Sequence, residues 1–99
     1  MPYGFVGSMR ARPGRRGEVV AILLEGTDGL RAAGCSLYAV GVPEGDPDLI
    51  MVTEIWESKK HHDDSLHLPE TKAAIARAMP LLTGEFSSQE MTVLGGLGV

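Results

Sequence analysis

Trp56 and His62, six residues apart, are the two side chains in this sequence best suited to chemistry on an aromatic ligand. The stretch from Val52 to Leu68, VTEIWESKKHHDDSLHL, alternates like a strand as far as the only tryptophan. It then opens a helix that carries all three histidines. An indole offers a flat wall for stacking, and an imidazole can move a proton near neutral pH. A helix start just past Trp56 can swing His62 back over the strand end, close to the indole. The alternatives are a core tryptophan that anchors the second helix and an exposed helix histidine, since tryptophan is mostly buried whatever its role.

Other side chains are candidates for supporting parts. Tyr38 can donate to an oxyanion, and Arg77 can balance a substrate enolate. Glu54 shares a strand face with Trp56 and is either a cavity carboxylate or an edge charge. The cluster His61, His62, Asp63, Asp64 and His67 invites a metal reading. Adjacent histidines diverge on a helix, however, and acidic residues in a first helical turn answer the helix dipole, so no metal is expected. Cys35 reads as a small buried filler. Neither a glycine-rich phosphate loop nor a Gly-x-Ser-x-Gly nucleophile pattern occurs.

The elements that must position these residues follow from periodicity. Tyr3 to Ala11 alternates loosely and reads as strand one, broken by Arg12-Pro13-Gly14. Glu18 to Leu24 places Val19, Ile22 and Leu23 on one helical stripe; Gly26 and Gly29 weaken its end, so the helix frays or restarts before it stops at Gly34. Cys35 to Val42 and Leu49 to Trp56 are strands two and three, joined by the turn cluster PEGDPD as an antiparallel hairpin. Ser58 is a helix N-cap, Pro69 starts a further helical piece and Pro80 kinks or ends it. Ser87 to Leu94 reads as strand four. The order β-α-β-β-α-β predicts an α+β, ferredoxin-like fold with a four-stranded antiparallel sheet. Two helices cover one face of such a sheet; the other predicts a second copy of the chain packed against it.

Composition narrows the function classes. Ninety-nine residues are read as one domain, with a core from about residue 3 to 94. A net charge of −4 argues against nucleic acid or an anionic membrane as the main partner, because both need a basic face. Arg10, Arg12, Arg15 and Arg16 cluster locally and read as a solvated loop and helix start. One cysteine cannot form an internal disulfide and no long apolar run is present, so a cytoplasmic location is expected.

Several of these residues resemble the antibiotic biosynthesis monooxygenase family, which includes quinol monooxygenase-like proteins. They are Val52-Thr53-Glu54-Ile55-Trp56-Glu57-Ser58, then His62-x-x-Ser65-Leu66, Leu68-Pro69-Glu70 and Ala78-Met79-Pro80-Leu81-Leu82, with Gly34-Cys35 ahead of Leu37-Tyr38. The resemblance runs from roughly Tyr3 to Leu94, and its most specific part is the Glu-x-Trp-x-Ser corner. It implies a dimeric α/β barrel and oxygenation of quinols or polyketide-like aromatics by O2 without a cofactor. By its matched position Trp56 supplies the wall; from placement rather than from a motif, His62 is the candidate base, Tyr38 or Arg77 the anion partner and Glu54 a substrate-side carboxylate. A non-catalytic dimeric barrel that binds a small hydrophobic ligand is the alternative. A related branch degrades haem with an asparagine on strand one; this chain contains no asparagine.

Overall fold

A computed structural model describes residues 1–99. Its elements are β1 (Tyr3–Ala11), α1 (Arg16–Leu24), α2 (Asp28–Ala32), β2 (Cys35–Gly41), β3 (Leu49–Trp56), α3 (Lys59–Ser65), α4 (Pro69–Ala78), a 3₁₀ turn (Met79–Leu81) and β4 (Leu82–Thr92). The four strands form one antiparallel sheet in the order β2-β3-β1-β4, the ferredoxin-like arrangement that the element order predicts.

Alternation along the two central strands decides where everything else lies. Pairing of Tyr3 with Trp56, Phe5 with Glu54, Gly7 with Val52 and Met9 with Ile50 puts all of these on the helix side. The two ends of that face are packed. Ala11, Ile50 and Leu82 join Val19 of α1 and Ala78 of α4 in one cluster, while Tyr3, Trp56 and Cys35 form another at the opposite end. Between the clusters lie Phe5, Gly7, Val52 and Glu54, and there the helices stand off the sheet.

One strand differs from the sequence expectation. Strand β4 starts at Leu82 rather than Ser87. Thr83-Gly84-Glu85 carries no apolar alternation, so the ladder to β1, with its irregularity between Met9 and Ala11, holds the segment extended instead of side-chain burial. The first helical region restarts before Gly34, one of the two outcomes expected of its glycines: Gly26 takes a positive φ of 66° after α1, and α2 follows. Gly34 stops α2 at φ 104°, as expected. It is also the place where a Cβ would lie 2.7 Å from the His61 ring.

The arginine cluster is tied down by structure. Arg10 pairs with Asp46 and Glu85, Arg15 with Glu18, and the Arg12 and Arg16 guanidinium groups donate to backbone carbonyls. No helix is long and apolar enough to cross a membrane. Only 13 of the 99 residues are buried, so much of the sheet's far face stays open.

Candidate active site

The gap between the two packed clusters is a cavity of about 490 Å³. Its floor is the middle of the sheet, and its roof comes from α1, the Gly26–Leu30 region, α3 and α4. Sixteen of its 28 lining residues are hydrophobic, which makes it a mostly apolar hollow with a few polar groups. Phe5, Tyr38, Glu54, Trp56 and His62 all border it. A Cβ on Gly7 would lie 2.9 Å from the Phe5 ring, so the absence of a side chain there leaves the floor open under that ring.

His62 reaches the cavity because of how α3 begins. Ser58 is the N-cap, and its hydroxyl accepts from the His61 amide at 3.2 Å. One residue further on, the His62 side chain turns inward and is 8% exposed. Its ring stacks on Phe5 at 5.0 Å and 25°, tilts against Tyr3 at 5.2 Å and meets the Trp56 edge at 5.8 Å and 82°. Nδ1 lies 3.0 Å from Asp63 Oδ1. The hydrogen bond with His62 holds the Asp63 carboxyl below the usual range, so it is an acceptor and Nδ1 donates. That tautomer leaves Nε2 as the free acceptor, with no hydrogen bond to the protein.

Glu54 and Tyr38 face each other across the β2–β3 pair. The Trp56 indole N–H donates to Glu54 Oε1 at 2.9 Å. Burial pushes the Glu54 carboxyl up, against the opposing pull of the Trp56 bond and nearby His62. Burial, and then the charge of Glu54, push the Tyr38 phenol up to about 12. Its hydroxyl makes no hydrogen bond within the protein and stays a neutral donor at physiological pH. The Trp56 indole is 1% exposed, so it is both a core anchor and a cavity wall.

Arg77 corrects the expectation that it partners an anion in the cavity. Its guanidinium is half exposed and does not line the cavity; it forms an ion pair with Glu25, a carboxylate at the cavity edge, because the end of α1 places that group within reach. His61 is pinned between Ser58 and Glu57 rather than free in solvent, and His67 is exposed. Cys35 is buried, and its thiol donates to the Leu37 carbonyl. Sequence reasoning missed Phe5, Tyr3 and Asp63 as the groups that hold His62. The alternation of β1 carried the signal for the first two, once its register against β3 is known. No group of three or more His, Cys, Asp or Glu side chains is arranged to hold a metal ion.

The profile of the family described as antibiotic biosynthesis monooxygenase matches residues 2–77. The chain belongs to that family. Among solved structures, it is similar to a protein of Chloroflexus aurantiacus J-10-fl whose name as an antibiotic biosynthesis monooxygenase is provisional. The two share 41% identity over 97% of this chain and 96% of that one, with a TM-score of 0.87. A Caulobacter crescentus CB15 protein with the same provisional name aligns with a TM-score of 0.86 at 19% identity, over 95% and 91% of the two chains. Rv0793 from Mycobacterium tuberculosis aligns with a TM-score of 0.83 at 20% identity, over 98% and 99%. The last two likenesses speak for the fold alone. Among curated proteins none matches. The antibiotic biosynthesis monooxygenase match spans β1 to β3 and the Trp56–His62 corner, while β4, from Leu82, lies beyond it.

Proposed function

We propose that this protein is a cofactor-independent monooxygenase that oxidises quinols or polyketide-like aromatic compounds with O2, working as a cytoplasmic homodimer. One observation carries the reading: a mostly apolar cavity in which the rings of Trp56 and His62 meet at 5.8 Å beside the unpaired Tyr38 hydroxyl.

Such a reaction needs a base, an anion partner and a dry, aromatic-walled space. In this reading a flat substrate lies against Trp56 and Phe5. His62 Nε2 takes a proton from the substrate, and the developing charge is shared with the adjacent Asp63 carboxylate on Nδ1. The Tyr38 hydroxyl donates to the substrate's anionic oxygen. The enolate then passes one electron to O2, giving superoxide and a substrate radical. The two recombine in the closed space to form a C–O bond. The resulting peroxide takes the proton back from His62 and loses water, leaving a carbonyl; one oxygen atom enters the substrate and the other leaves as water. The electrons come from the substrate throughout.

The homodimer is supported by the sheet's far face. Val6, Met51, Ile55 and Met91 lie there without a helix over them, and Met51 and Met91 are 41% and 45% exposed. The test is oxygen uptake by purified, chelator-treated protein with a panel of hydroquinones and anthrones and no added cofactor. Protein-dependent uptake with stoichiometric ketone or quinone formation is expected. Ligand binding with no uptake across the panel would instead favour the non-catalytic binding protein.

A further inference from the structure

We propose that the cavity is selective by charge: it takes hydroxylated aromatics that carry no anionic group, and the Glu54 carboxylate sets that selection. The inference rests on the proposed function in treating the cavity as a ligand site, but it does not depend on turnover.

The charge content of the lining is lopsided. No lysine or arginine borders the cavity, whereas Glu25, Glu54 and Glu70 do. The nearby cations are already paired. Arg77 is paired with Glu25, which cancels that carboxylate at the cavity edge, and Lys59 is held by Glu90 and Asp63. Of the three carboxylates only Glu54 rises from the floor, on the strand face between Val52 and Trp56. The groups facing it are the phenols of Tyr3 and Tyr38, the Cys35 thiol, the Trp56 indole and the His62 imidazole. None of them is a fixed positive charge.

The unmet hydrogen-bonding groups tell the same story. Glu54 Oε1 accepts from the Trp56 indole, while Oε2 receives no hydrogen bond from the protein. His62 Nε2 is a second free acceptor, and the Tyr38 hydroxyl is free to donate. A neutral ligand hydroxyl can donate to either acceptor. A ligand carboxylate can accept from Tyr38 but cannot donate to either acceptor, and it places like charges together in a mostly apolar cavity. At about 6 Å and an effective dielectric constant of about 20, that repulsion weakens binding by roughly tenfold to a hundredfold.

Two probes of one shape separate charge from size: 3-hydroxy-2-naphthamide and 3-hydroxy-2-naphthoate. Each is titrated calorimetrically into the full-length protein at pH 8 in 0.15 M salt. The wild type is expected to bind the amide at least about tenfold more tightly than the carboxylate. Glu54→Gln, which keeps an acceptor for the indole, should narrow the ratio to within about threefold, chiefly by improving naphthoate binding. Glu70→Gln, which leaves the Arg77–Glu25 pair intact, should keep the wild-type ratio. Equal affinities in the wild type, a preference for the naphthoate, or binding of neither probe overturns the proposal without reference to any variant. So does a folded Glu54→Gln protein with an unchanged ratio, or a ratio that collapses in Glu70→Gln. Preference for the amide together with no oxygen uptake from any quinol would keep the charge selection and discard the monooxygenase.

Discussion

At the scale of single residues, spacing offers the meeting of Trp56 with His62 beside an exposed histidine, and the structure decides between them with the rings 5.8 Å apart. What holds that imidazole was not legible. Phe5 stacks on it from a strand 57 positions earlier in the chain, and only the β1–β3 register brings the two together. Arg77 shows the opposite failure, since its helix position pointed to the cavity but Glu25, 52 residues away, captures it. Glu54 gives a prediction at this scale. Its folded-state pKa is raised, so the protonated form is favoured in the folded protein. The stability this group contributes is therefore present at low pH and is lost as pH rises through the raised value. Several carboxylates nearer the surface, including Asp46 and Asp63, shift the other way and lose their contribution on acidification. Comparison with a variant isolates Glu54: Glu54→Gln should melt higher than the wild type at pH 8, with the difference shrinking toward pH 4. Thermal unfolding followed by circular dichroism at both pH values measures it, and a lower melting temperature at pH 8 would contradict the burial argument.

Elements behave according to how much side-chain pattern they carry. Strand β3 alternates cleanly and its bounds were read without error, because every second residue meets either packing or the cavity. Strand β4 is almost wholly exposed beyond Leu82, so backbone pairing with β1 defines its start and the side chains give no signal. Helix α3 is only seven residues long and relies on its cap. Ser58→Ala removes the hydroxyl that accepts from the His61 amide and that also meets His61 Nδ1 at 2.7 Å. The expected cost is about 1 kcal/mol in urea unfolding, with looser placement of His62 one residue further on. An unchanged midpoint would mean that the packing of His62 and Ser65 holds the helix without its cap.

For the molecule as a whole, the two packed clusters at the ends of the sheet explain why the cavity exists. Ile50 and Trp56 anchor the ends of β3, and the stretch between them is left to whatever the cavity holds. The far face of the sheet is where the proposed second copy packs. Met51→Lys/Met91→Lys should turn a dimer into a monomer in sedimentation experiments, because each charge would be buried unpaired at the interface. A wild type that sediments as a monomer would remove the dimer from the account. The central claim, that His62 is the base in a cavity walled by Trp56, is tested most directly by oxygen uptake with a quinol substrate in His62→Ala beside the wild type. The account predicts a fall in turnover of about 10²- to 10⁴-fold, with a native circular dichroism spectrum and retained ligand binding. Turnover equal to the wild type in a folded His62→Ala protein would contradict it.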